Sequence, residues 1–236
     1  AWTLRSQRKF EEATLYLDRA ITVAPDHAFL YAEKSELLLV QGSVDAARSV
    51  LASAPVTQRT HYAWLEVYYY DRQWKELLEL TESYPRDEHL DRVFSDLVAG
   101  VALLQLERIQ EATGLLEAAA RGLEDPRESD VSVGQPFLST VYAHLGRPEE
   151  AVIQVRRAID SRAGDASYAA QGEEIIAYVY ALSGDVEAAA DIWDHLLATP
   201  YEGALTVNQL RLDPLLDPIR DHPRFKALLE KYGEEG

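Results

Sequence analysis

Apolar positions along the chain recur at the spacing of amphipathic helices, and a short run of turn, acidic and small residues recurs with them. It reads Phe10-Glu11-Glu12-Ala13, Gly42-Ser43-Val44-Asp45-Ala46-Ala47, Ile109-Gln110-Glu111-Ala112, Gly146-Arg147-Pro148-Glu149-Glu150-Ala151 and Gly184-Asp185-Val186-Glu187-Ala188-Ala189, with Trp74-Lys75-Glu76-Leu77 as a degenerate copy. The anchors Ala13, Ala47, Leu77, Ala112, Ala151 and Ala189 lie 34, 30, 35, 39 and 38 residues apart, which is the spacing of helical hairpins. Four residues after five of them stand Leu17, Leu51, Leu116, Val155 and Trp193, on the same helix face. The pattern predicts apolar first helices over 28–40, 59–70, 92–106, 135–145 and 171–182. Gly42, Gly146 and Gly184 follow three of these, where a left-handed turn ends a helix.

This pattern resembles the tetratricopeptide repeat, W-x2-L-G-x2-Y, then A-x3-F, then P, over about 34 residues. The first copy carries it in Leu4, Ala13, Leu17, Ala20 and Pro25; the fourth in Gly100, Leu103, Ala112, Leu116 and Ala119; the fifth in Tyr142, Gly146, Ala151 and Ala158. The resemblance implies an all-α fold, a right-handed α-solenoid of about six hairpins with a concave face. The expected division is an array over 1–198 and a C-terminal capping segment over 199–236. The second copy has a short second helix that ends at Pro55, and the third lacks the small anchor. Extrapolated back from Ala13, the opening helix of the first copy should start before Ala1. With no methionine anywhere, residue 1 is therefore expected to lie inside a longer polypeptide.

After Thr199-Pro200 the period stops, and Leu210-Arg211-Leu212-Asp213-Pro214-Leu215-Leu216-Asp217-Pro218-Ile219-Arg220 follows. Each Asp-Pro reads as an N-cap and a first-turn proline. His222-Pro223 opens a last helix whose Phe225, Leu228 and Leu229 are placed to cover the end of the array. This segment is similar to the end of tetratricopeptide modules found beside serine/threonine kinase, adenylate-cyclase or winged-helix regulator domains of bacterial signalling proteins. That resemblance implies an interaction or sensory module within a larger protein.

Composition narrows the partners. Forty acidic against 23 basic residues give a formal charge of −17, which repels phosphate backbones, so no nucleic acid is expected. There is no cysteine, hence no disulfide and no thiolate nucleophile or ligand. No apolar run approaches the roughly 20 residues of a membrane helix. A soluble, cytoplasmic domain is the expectation, with the far side of a membrane-anchored parent left open.

No phosphate loop, nucleophile elbow or catalytic dyad is legible, and no cofactor is expected. Asp185-Val186-Glu187 and Asp87-Glu88-His89 read as helix starts, where acids complement the helix dipole. Glu187, Asp191 and His195, at i, i+4 and i+8, are the nearest to a metal-like set, and the plainer reading is a solvated face. A metal-dependent hydrolase built on them is a minor alternative. The aromatic stretch Tyr62, Trp64, Tyr68, Tyr69, Tyr70 and Trp74 is more telling: Trp64 and Tyr68 are expected to pack within the hairpin, and Tyr62, Glu66, Tyr69 and Tyr70 to face the concave side. The same phase brings Phe29, Glu36, Arg59, Tyr62, Glu66, Tyr69, Tyr70, Phe94, Gln105, Thr140, His144, Glu174 and Tyr178 to one groove. Such a wall suits a protein or peptide ligand, and with Arg59 nearly the lone cation it does not suit a carboxylate clamp. The competing expectation is self-association as a homodimer that brings parent domains together.

Overall fold

The computed structural model describes residues 2–83, 89–124, 131–199, 201 and 205–233. Within them twelve helices pair in sequence as hairpins: α1 (Trp2–Ser6) with α2 (Phe10–Val23), α3 (Ala28–Val40) with α4 (Val44–Ala52), α5 (Gln58–Tyr70) with α6 (Trp74–Ser83), α7 (His89–Gln105) with α8 (Ile109–Glu124), α9 (Val131–His144) with α10 (Pro148–Ser161), and α11 (Ala166–Ser183) with α12 (Val186–Ala198). Each hairpin packs on the next through its second helix, and among the described residues there is no strand. The chain is an all-α solenoid of helical hairpins.

The repeat pattern has a direct physical counterpart. All six anchors, Leu77 included, are 0% exposed. A small side chain there lets the two helices of a hairpin approach, and the residue four positions on fills the adjoining gap. Leu17, Leu51, Leu116, Val155 and Trp193 are all buried in that role, and Thr81 takes it after Leu77. Gly100 of α7 allows a similar approach, since a Cβ there would lie 2.8 Å from Cγ of Leu116.

The turns repeat as strictly as the anchors. The residue five positions before every anchor has positive φ: Arg8, Gly42, Arg72, Glu107, Gly146 and Gly184. The next amide then donates to the carbonyl five residues back, from Lys9 to Leu4, Ser43 to Leu38, Gln73 to Tyr68, Arg108 to Leu103, Arg147 to Tyr142 and Asp185 to Tyr180, all at 2.8–2.9 Å. This is the αL helix ending that glycine favours, yet three turns adopt it without glycine.

Beyond α12 come α13 (Val207–Leu212), a 3-10 helix (Pro214–Ile219) and α14 (Pro223–Tyr232). The last of these covers α12, with Phe225 5.7 Å from the Trp193 ring and both side chains fully buried. The segment before it turns back inside the array, α13 against α3 and the 3-10 helix against α11. Asp213 caps the 3-10 helix by accepting from the Leu215 amide at 2.9 Å. The second Asp-Pro departs from the expected cap: Asp217 lies inside the same 3-10 helix and pairs instead with Arg72 and Arg220. The array curls until its first turn reaches its last hairpin, where Arg8 Nη2 donates to the carbonyls of Leu196 and Leu205, each at 3.4 Å. Among the described residues no helix is long and apolar enough to cross a membrane.

Candidate functional site

The odd-numbered helices present one face to the inside of the curl, and residues 205–219 lie against part of it. Thr206 Oγ1 donates to the Val40 carbonyl at 2.6 Å and Asn208 Nδ2 to that of Gln41 at 3.2 Å, both where α3 ends. The Tyr69 hydroxyl donates to Asp213 at 2.5 Å, with Tyr178 also in reach of that carboxylate. Arg72 spans both oxygens of Asp217, and Arg220 donates to the carbonyls of Arg211 and Asp213. Leu205, Leu210 and Leu216 are almost wholly buried in the same contact, in one apolar cluster with Trp193 and Phe225. Burial pushes the Asp213 carboxyl above its usual range and holds the Tyr69, Tyr70 and Tyr178 hydroxyls protonated well beyond theirs.

The rest of the inner wall opens on a pocket of about 340 Å³. Leu39 and Val40 of α3, Leu65 of α5, and Leu97, Val98 and Val101 of α7 give it apolar walls, and Gln209 and Leu215 of the inturned segment close one side. Besides Gln209 its polar groups are few: Glu36, Glu66, Tyr69, Tyr70, Thr140 and His144. Glu66 is accessible from the pocket although protein surrounds it, and it makes no hydrogen bond or ion pair. Burial, and then the like charge of Glu36, push its carboxyl up from 4.5 to about 7. His144 is likewise without a partner, and burial lowers its imidazole from 6.5 to about 4, so it is neutral across the physiological range.

The structure therefore sorts the residues that one helical phase placed together. Glu36, Glu66, Tyr69, Tyr70, Phe94, Thr140 and His144 share the pocket. Phe29, Arg59 and Tyr62 lie towards its edge, near the first turns of α3 and α5. There Arg59 pairs with Glu33 at 2.8 Å and sits 5.3 Å over the Phe29 ring, while Tyr62 donates to Asp91 at 2.7 Å. Tyr178 and Glu174 face the tail side, Glu174 accepting from the Tyr201 hydroxyl. Gln105 does not join them; it is exposed at the end of α7 and does not line the pocket. Tyr68 packs with Leu77 of its own hairpin as expected, whereas Trp64 packs on the Ala47 and Leu51 cluster of the preceding one.

On α12, Arg224 pairs with Asp191 at 2.6 Å and approaches Glu187 at 3.9 Å, so the tail supplies a guanidinium where a metal would have to sit. Among the described residues no three potential ligands cluster to hold a metal ion. Asp185 caps α12 through the Ala188 amide, while Asp87, Glu88 and Pro200 fall outside the described residues.

Sequence reasoning missed Thr206, Asn208, Gln209, Asp213 and Leu215 as parts of the inner wall. Two signals pointed to them: an aspartate, Asp213, set among leucines, and arginines at two turns, Arg8 and Arg72, whose conformation favours glycine.

No protein-family model and no curated protein matches this chain. Among solved structures it is similar to YrrB, described as a TPR protein with an unusual peptide-binding site, at 16% identity and a TM-score of 0.38, over 92% of this chain and 97% of that one.

Proposed function

We infer that the chain is a non-catalytic, partner-binding module that receives a segment of another protein on the free edge of its inner wall. The supporting observation is the division of that wall. One half already holds a peptide-like stretch, residues 205–219, through tyrosine hydroxyls and helix-end carbonyls. The other half keeps the same helix face open, and at its edge Arg59 stacked on Phe29 offers an aromatic and guanidinium anchor of the kind that dominates interfaces. The charge of −17 argues against a nucleic-acid partner, and the resemblance of Leu210 to Phe225 to bacterial signalling modules is the reason to place the chain in such a parent.

A carboxyl poised near 7 also suits proton transfer. Binding is the better reading because nothing hydrogen-bonds Glu66 to orient it, and it is linked to none of the hydroxyl or imidazole groups of the pocket.

The test is to pan a random peptide display library against the full chain and retitrate enriched peptides against Phe29→Ala/Arg59→Ala. A loss of about tenfold or more supports the assignment. No enrichment, or enriched peptides indifferent to both substitutions, would remove it.

A further inference from the structure

The pocket behind that edge has properties of its own. Its volume of about 340 Å³ is at the small end of the roughly 300–1,000 Å³ of ligand sites, too little for a peptide segment, and its walls are apolar with a few convergent polar groups. The charges around it do not balance. Glu33 and Glu36 of α3, Glu66 and Arg59 of α5 and Arg5 of α1 face one another. Arg5 donates to Glu36 at 2.5 Å, and Arg59 donates to Glu33 at 2.8 Å and lies 3.9 Å from Glu36; both attract Glu66 from a distance, but neither contacts it, so three carboxylates share two guanidinium groups. The remaining titratable neighbours are Tyr69 and Tyr70, His144 across the pocket, and Asp213 behind the tyrosines; none is positively charged at neutral pH. A carboxylate held in such surroundings without a partner is costly to keep ionised.

A cation able to balance Glu66 here would be organic rather than metallic. A hard divalent ion needs six or more oxygen ligands, and this pocket is mostly hydrocarbon. An anion would face Glu36 and Glu66. A ligand with an ammonium group and a short apolar body satisfies both the carboxylate and the leucine and valine walls.

We propose that this pocket binds a small organic ammonium ion, with Glu66 as its counter-ion and the α3, α5 and α7 walls receiving its apolar body. The proposal goes beyond the partner-binding reading and does not rest on it, since a free amine needs neither Phe29 nor Arg59. Gln209 and Leu215 border the pocket, so the ligand would touch the inturned segment as well as the array.

Calorimetric titration of the full chain with 2-phenylethylamine, neutral 2-phenylethanol and anionic 3-phenylpropanoate tests it. The amine should bind at least about tenfold more tightly than either isostere, as a charge-assisted contact gives. Its affinity should rise about tenfold from pH 6 to pH 8 as Glu66, titrating near 7, loses its proton, with proton release on binding at pH 6.5. Glu66→Gln should abolish the preference for the amine and leave the alcohol's affinity unchanged, and Val98→Trp should block all three. Equal binding of amine and alcohol, no binding of the amine, or an unaltered preference in Glu66→Gln would overturn the proposal. Amine binding with no enriched peptide would leave this proposal standing and remove only the partner reading.

Discussion

Two halves of one wall are built from the same helices and come out differently. Where residues 205–219 lie, the carboxylates and hydroxyls at the contact are paired: Asp213 accepts from Tyr69 and the Leu215 amide, Thr206 reaches Val40, and Asp217 holds Arg72. A few ångströms along the same face, Glu66 and His144 have none. Helix α5 contributes to both, Tyr69 to the first and Glu66 to the second. A satisfied buried network holds the fold together, whereas unpartnered groups facing a pocket cost stability and stay available to a ligand. Substitution in the first half should therefore weaken the protein, and in the second strengthen it.

The largest effect belongs to the filled half. Leu216→Ala removes a fully buried side chain from the junction of the tail with α11 and should cost about 3 kcal/mol by urea unfolding, in the range for a leucine cavity. A cost below about 1 kcal/mol would mean that the tail is not part of the cooperative core. Tyr69→Phe is the milder probe: it takes one donor from a buried carboxylate at nearly constant shape and should cost about 2 kcal/mol.

Much of the array was legible in the sequence because its causes are local. The anchor spacing is set by side-chain size at one hairpin seam, so a period of small residues reports it directly, down to the short α4 and the large Leu77 at the third seam. The first helices follow their apolar period closely, 28–40 without change, but several begin earlier than it predicts. Helix α11 starts at Ala166 rather than 171 because Asp165 caps it through the Tyr168 amide, a polar signal outside the apolar pattern. The path of the tail was not legible. Whether 205–219 lies outside the array or inside depends on how far six hairpins curl, a sum of small packing angles that no single window encodes. A shared groove follows from one helix phase, but that phase does not say which of its residues the chain itself covers, nor that Gln105 lies outside the pocket.

The open half should respond with the opposite sign. Folded, Glu66 holds its proton up to about 7 against 4.5 in the ordinary case, so the stability it gives is complete below about 4.5 and lost as pH rises through 7. Glu66→Gln should then stabilise the chain at pH 8 by about 1–2 kcal/mol, less than the full shift implies because water in the pocket screens the charge, and should do nothing at pH 4.5. His144 runs the other way. Its folded value near 4 lies below the ordinary 6.5, so its contribution is complete above 6.5 and lost as pH falls through 4. His144→Leu should flatten that acid limb, gaining about 1 kcal/mol at pH 5 in thermal unfolding followed by circular dichroism, with the gain fading by pH 7.5.

The smallest effect separates turns that touch the tail from one that does not. Arg72 and Glu107 hold the same left-handed conformation, φ 56° and 58°, at equivalent places in neighbouring hairpins. A side chain there costs about 1 kcal/mol relative to glycine. Glu107→Gly relieves that strain and, with no hydrogen bond or ion pair from the Glu107 side chain to lose, should stabilise by up to about 1 kcal/mol. Arg72→Gly relieves the same strain but gives up the paired contact to both oxygens of Asp217, so its net change should be near zero or slightly negative. Repeated with Asp217→Ala as background, Arg72→Gly should recover the gain seen at 107. If the two glycine variants are equally stabilised in the native background, the Arg72 contact contributes nothing to holding the tail in place. The non-glycine turns would then be ordinary strain, unrelated to the segment that lies beneath them.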